Sequence, residues 1–222
     1  MTRHLKRDVL PQLKLPLYDL IRVDKTTAVK QALEAESLLD IDPEQFDPHN
    51  IVVLGHIAAV RRLMGIAIAP QVANWVDMLI DGGETKIVLF AWHIEVLNIL
   101  ERALHKHGVL RIDGSVLPVQ KQARVDQFIS NPKINILIGN MQAMGTGTDG
   151  LQGVANHALI AEPDWVPGNN QQAVDRLDRF GQKRQVMAEL FVAPGSVIEK
   201  ILASALKKAG NIHAALDKQM AV

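Results

Sequence analysis

A chain of 222 residues, 48% of them hydrophobic, carries enough apolar surface to bury a sizeable core, which excludes general disorder, and its length suits one α/β domain plus an appended segment. Its 24 Lys and Arg balance 24 Asp and Glu, so any polyanion must be met by a local patch and not by net charge. The absence of cysteine excludes disulfides, a thiol nucleophile and Cys-based zinc sites, and with neither an unbroken run of about 18 apolar residues nor a secretion signal in "MTRHLKRDVL" the chain reads as soluble and intracellular, with no membrane partner.

In chain order, residues 1–69 read as a partly helical lead-in and residues 70–222 as the main domain. "LPQLKLPLYDLIRVD" (10–24), with two prolines, suggests an extended stretch or edge strand; residues 25–40 and 56–65 read as helices, and "IDPEQFDPHN" (41–50) as a loop or local disorder. Pro70 precedes a further helix, in which Val72, Trp75, Val76, Leu79 and Ile80 recur at helical spacing before Gly82-Gly83 stops it. From Lys86 onward, short apolar runs alternate with amphipathic segments, the pattern of βα units in a mostly parallel sheet. The predicted strands are 86–90, 108–112, 134–139, 157–161 and 186–192, apolar on both faces as helix-covered strands must be.

Between the first two strands, Leu97, Leu100, Leu104 and His107 form a helical stripe. His105 and His107 read as a solvated helix terminus, since no H-E-x-x-H spacing accompanies them, and no metal site is predicted. Pro118 suits a first helical turn, from which Ala123, Phe128 and Ile129 are expected to face the sheet. The final helix should be capped by Ser196 and ended by Gly210.

Four loop segments carry candidate chemistry. "GNMQAMGTGTDGLQG" (139–153) follows a buried strand, and its glycines allow backbone N–H groups to approach a phosphate; a plain strand-to-loop connection accounts for it equally well. No G-x-x-x-x-G-K-[ST] loop occurs anywhere in the chain. "RIDGS" (111–115) is a turn, and "EPDWVPG" (162–168) offers an exposed-looking Trp165, either a packing anchor or a base-stacking platform. In "QQAVDRLDRFGQ" (171–182) a helix over 171–180 would put Ala173, Leu177 and Phe180 on one stripe and Gln172, Arg176 and Arg179 on another. Asp175 would then pair with Arg179 as an ordinary helical ion pair.

Taken in order, "KIVLFAWH", "RIDGS", "ILIGNMQAMGTGTDGLQ" and "EPDWVPGNNQQAVDRLDRFGQ" resemble the second RecA-like lobe of the Swi/Snf-type ATPases of helicase superfamily two, over about residues 86–205. The most specific match is Q-A-x-x-R-x-x-R-x-G-Q, met by Gln172, Ala173, Arg176, Arg179, Gly181 and Gln182. "HLKRDVLPQLKLP" (4–16) is similar to the family segment leaving the first lobe, and the "LFAWH" and "DRLDR" variants are nearest annealing-helicase relatives.

The resemblance implies a RecA-like three-layer α/β domain, with ATP and Mg²⁺ bound mainly by a first RecA-like lobe outside this chain. It implies arginine fingers at Arg176 and Arg179, nucleotide contacts at Gly145, Gly147, Asp149 and Gln172, and DNA contacts at Trp92, His93, Asp113, Asn140 and Trp165. Between Gly147 and His157 this sequence is longer than the family pattern, which affects Asp149. The chain alone is expected not to hydrolyse ATP. Two other readings stay open: a non-catalytic RecA-like binding module, which has no chemical need for the arginine pair, and an RNA helicase lobe, which fits "EPDWVPG" and R-x-G-Q less well.

Overall fold

The computed structural model describes residues 14–39, 51–145 and 148–209, so the expected loop at 41–50, Gly147 and Gly210 lie outside the described residues. Among the described residues, six parallel strands form one sheet in the order β1-β6-β5-β2-β4-β3. They are β1 (Leu17–Arg22), β2 (Ile87–Ala91), β3 (Val109–Ile112), β4 (Ile136–Asn140), β5 (His157–Ile160) and β6 (Met187–Val192). β1 is an edge strand, as its prolines suggested. All five residues of β2 are fully buried, because helices cover both faces and leave no solvent side for a polar alternation.

One face of the sheet is covered by α1 (Thr27–Ser37), α2 (Ile51–Asp81) and α3 (Ile94–Leu104), whose Val29, Val72, Val76, Leu97, Leu100 and Leu104 share a core with Ile87, Leu89 and Ile136. The other face packs against α4 (Pro118–Ser130), the short α5 (Met141–Met144), α6 (Pro167–Val174) and α7 (Val197–Ala209), through residues such as Phe128, Met144, Val174 and Leu202. This is the three-layer RecA-like arrangement. Residues 17–37 join both the sheet and its covering layer.

Three local expectations are corrected. The helices foreseen at 56–65 and after Pro70 are one 31-residue helix with Pro70 inside it. An internal proline costs about 3 kcal/mol. Here the ring is exposed, and a continuous buried stripe runs past it, with Met64 and Ile68 on one side and Val72 and Val76 on the other. At about 1.5–3 kcal/mol for each large apolar side chain, that burial outweighs the lost backbone bond. Within this helix, Ala58–Asp81 is long and apolar enough, by length and composition, to cross a membrane.

On α4, Phe128 is buried and Ile129 packs against the core as expected, but Ala123 is exposed and Val125 turns inward in its place. Residues two apart lie about 200° round a helix, so Ala123 cannot share the face of Val125. Phe180, expected on one stripe with Ala173 and Leu177, is 74% exposed while those two are buried, for a reason given below. Other local signals hold: Pro118 opens α4, Leu97, Leu100 and Leu104 are fully buried, and the Ser196 hydroxyl accepts from Glu199 N at 3.2 Å to cap α7. His107 Nε2 lies 2.6 Å from Asp77 Oδ1, which ties the end of α3 to α2, and His105 Nδ1 lies 3.0 Å from Arg102 O.

Glu189 on β6 is a buried acid that the strand pattern did not mark. It accepts from Trp75 Nε1 at 2.8 Å. Burial raises its pKa above the ordinary glutamate range; Trp75 and His157 oppose the shift, while the Asp19 and Glu84 charges add to it. A carboxyl with a raised folded pKa binds its proton more tightly when folded. Its effect is therefore most favourable below the ordinary pKa and is lost as pH rises through the folded value. Glu189→Gln, which keeps an acceptor for Trp75, should raise the unfolding temperature at pH 7–8 and flatten its decline from acidic pH. Each kcal/mol gained would appear as about 2–4 °C in a chain of this size. A lower unfolding temperature for Glu189→Gln at neutral pH would refute this.

Candidate functional site

Strand addition reverses direction at β2: the chain places β3 and β4 on one side of it and β5 on the other. Loops leaving the carboxyl ends of β2, β4 and β5 part there, the place where open α/β sheets form ligand crevices. An open cleft lies there. Phe90 lines it from β2 and Trp92 from the corner after it, Met141 and Gln142 from α5 and Gly145 from its end, and Asn169, Gln172, Ala173 and Arg176 from α6 and its exit. Asn140 joins two of these loops: its Oδ1 accepts from Gln142 N at 2.9 Å and Ala143 N at 3.3 Å, capping α5, and its Nδ2 donates to Trp92 O at 2.7 Å. Gly145 closes α5, its N–H bonded to Gln142 O at 3.1 Å.

The arginine segment departs from the expected helix over 171–180. α6 spans Pro167–Val174 and the chain then tightens into turns, with Leu177 N and Asp178 N both donating to Val174 O and Gln182 N to Arg179 O. The Gln182 amide draws the exit inward by donating to Ala155 O at 2.8 Å and Leu177 O at 3.2 Å, and Gly181 takes φ 97°, a left-handed conformation that ends the segment. The turn keeps Leu177 in the core and swings Phe180 out to solvent.

Gln172 and Arg176 both line the cleft. Arg176 Nε is buried and has no hydrogen-bond partner among the described residues. Burial lowers the proton affinity of its guanidinium and the Arg179 charge lowers it further, against the opposing pull of Asp175. Such a cation gains from an incoming anion. Arg179 is half-exposed, donates from Nε to Asp175 O at 3.0 Å, and sets Nη1 3.5 Å from Asp149 Oδ1. Asp149 is otherwise exposed, its backbone held by the Gln122 side chain through two 3.2 Å bonds. The Asp175 carboxylate accepts from Gln171 Nε2 at 3.0 Å.

The residues expected along a DNA track fall into different settings. Trp92 and His93 form the corner between β2 and α3, beside the cleft. Asp113 is buried and accepts from Ser115 N at 2.9 Å, Ser115 Oγ at 2.6 Å and Arg111 Nε at 2.7 Å. The Ser115 hydroxyl bond does most to hold its pKa below the usual carboxylate range. Of the two readings of Trp165 the structure favours the packing anchor over the DNA contact: it is 5% exposed and belongs to the core, where its large apolar ring area is worth more buried than displayed.

Sequence reasoning missed Glu162, Asp164 and Arg61. Glu162 is buried and accepts from Trp92 N and His93 N, each at 2.8 Å, and lies 2.6 Å from His93 Nδ1. Arg61, on α2, lies 4.6 Å over the Trp92 ring, 3.7 Å from Asp164 and 3.2 Å from Glu162 O. An acid directly after a fully buried parallel strand was the available signal.

A parallel sheet with a switch-point cleft and an arginine turn on its rim defines a RecA-like helicase lobe. The helicase conserved C-terminal domain family matches residues 71–181, and the chain belongs to that family, as the second lobe of a Swi/Snf-type protein. It is 31% identical over 202 residues to the DNA annealing helicase and endonuclease ZRANB3 of Bos taurus, covering 89% of this chain and 18% of that protein. It is also 31% identical over 164 residues to Switch 2 of Arabidopsis thaliana, covering 68% of this chain and 18% of that protein. In fold it is similar to the crystal structure of the C-terminal part of the Fun30 ATPase domain, with a TM-score of 0.66 at 19% identity, covering 86% of this chain and 89% of that one. The chain spans about a fifth of the length of these curated relatives.

Proposed function

We propose that this chain is the closing lobe of an ATP-dependent translocase acting on duplex DNA, with Arg176 and Arg179 as fingers toward ATP held on a first RecA-like lobe. The observation that carries the reading is Arg176: a guanidinium stressed by burial and by a neighbouring cation, with Nε unpartnered among the described residues, on the rim of an open cleft. Gln172 and Gly145 line the same cleft and fit phosphate or nucleotide contacts. Asp149 positions Arg179 from outside it.

The residues of this chain fit the phosphates of ATP better than its metal. Among the described residues no group of three His, Cys, Asp or Glu side chains could hold a cation. When bound, Mg²⁺ would neutralise charge gathering on the transferred phosphoryl oxygens. Arg176 would act on the same charge from the opposite side, and the cleft walls would exclude water around it, making each charge interaction stronger than in solution. The relatives' length supports a first lobe elsewhere in the protein, and the annealing-helicase name of one of them supports DNA as the polymer.

Isolated, the chain should leave ATP uncleaved even with DNA present, because it has no P-loop lysine to hold the β- and γ-phosphates. Its binding to duplex DNA should be sequence-tolerant and should weaken with salt, by about 0.9 log units of affinity per log unit of salt for each phosphate contacted. Fluorescence titrations with two unrelated duplexes at several salt concentrations test this, and affinity indifferent to salt would count against the reading.

A further inference from the structure

The Trp92 side of the cleft is held by a carboxylate that the proposed chemistry does not use. Glu162 directly follows the β5 region and its side chain is 1% exposed. Its Oε2 receives both backbone N–H groups of the Trp92–His93 corner, and its Oε1 meets His93 Nδ1. Helix α2 makes room for it at Gly65, where a Cβ would lie 2.2 Å from Glu162 Oε1. One turn earlier on the same helix, Arg61 covers the Trp92 ring and bonds the Glu162 carbonyl.

We propose that Glu162 is a positioning residue that fixes the Trp92–His93 corner and selects the proton arrangement of the His93 ring. An ionised carboxylate can only accept, so the nitrogen facing it must carry the hydrogen. His93 is thereby held with Nδ1–H toward Glu162. Nε2, which has no partner among the described residues, is the ring atom left for a ligand. The pairing works as second-sphere carboxylates do on metal-binding histidines: it sets tautomer and ring angle before the ligand arrives. Because α2 supplies both Gly65 and Arg61, the seating of that helix reaches the cleft wall through two contacts, one on the carboxylate and one on the indole. That the ligand at Nε2 is DNA rests on the function proposed above; the ring state set by Glu162 does not.

Glu162→Gln separates these roles. Its amide oxygen can still accept the two backbone N–H groups, but its NH₂ would face Nδ1, which must then accept, moving the ring hydrogen to Nε2. Long-range ¹H–¹⁵N correlation spectra of the 222-residue chain, recorded where the ring is neutral and with His93 assigned by the signal lost in His93→Gln, read the tautomer directly. The expected result is Nδ1–H in the wild type and Nε2–H in Glu162→Gln. Gly65→Ala, which changes no polar group but displaces the carboxylate, should lose the Nδ1–H signature too. Thermal unfolding of each variant shows that it is folded. An Nε2–H ring in the wild type, or an unchanged Nδ1–H ring in folded Glu162→Gln, overturns the assignment. A wild-type chain with the Nδ1–H ring and no affinity for duplex DNA would support Glu162 in this role while removing the DNA reading.

Discussion

Arg176→Ala, made in the enzyme that carries this lobe, should lower ATP turnover by about 10³-fold or more, the usual worth of an arginine supplied across an interface to phosphoryl transfer. DNA binding should stay within a few-fold of wild type. The two effects separate because Arg176 contributes little to holding its own lobe together: its Nε has no hydrogen-bond partner among the described residues, and its charge is disfavoured by burial and by Arg179. Removing it relieves that repulsion, so the unfolding temperature should hold while the chemistry fails. Arg176→Lys keeps a charge but loses the planar two-pronged donor, and only partial recovery is expected. Arg179→Ala should also abolish turnover, and it frees Asp149 from its 3.5 Å contact. Steady-state ATPase assays with saturating DNA decide the matter; turnover within a few-fold of wild type in both alanine variants would reject the finger roles.

The largest stability loss is expected at Phe128. Its ring is fully buried in the core between α4 and the sheet. Truncating a buried phenylalanine to alanine costs about 3–5 kcal/mol. A second contribution arises from Lys86, whose ammonium sits 4.7 Å from that ring and donates to the carbonyls of Phe128 at 2.5 Å, Asn131 at 2.8 Å and Ile134 at 2.7 Å. Burial already lowers the proton affinity of Lys86, so loss of the aromatic face removes part of what compensates its desolvation. Phe128→Leu should cost much less, since it refills most of the volume. Denaturant unfolding of both variants tests this, and a loss below about 1 kcal/mol for Phe128→Ala would show that the core collapses around the gap.

The five strands from residue 86 onward were legible because each is a short, largely apolar run, four of them buried on both faces and the edge strand β3 only partly, and the arginine motif was legible because its spacing is specific. The cleft itself was not. Gln172 and Arg176 meet Trp92 and Gly145 only after β5 is laid beside β2, on the side away from β4.

Helical spacing also misjudged where helices stop. Pro70 looked like a start, yet packing on both sides of it carries α2 through. Phe180 looked inward-facing, yet Gln182 reaches back 27 residues to Ala155 and ends α6 early.

By itself, then, the sequence determined the βα alternation, the parallel sheet and the spacing of Arg176 and Arg179, all of which depend on residues close together along the chain. Only the tertiary structure decided that Trp165 is buried, that Arg179 leans on Asp149, and that Glu162 holds a corner 69 and 70 residues before it. Propensity and periodicity act over one or two turns of backbone. A buried carboxylate finds its N–H donors wherever the folded sheet brings them, and no local pattern encodes that distance.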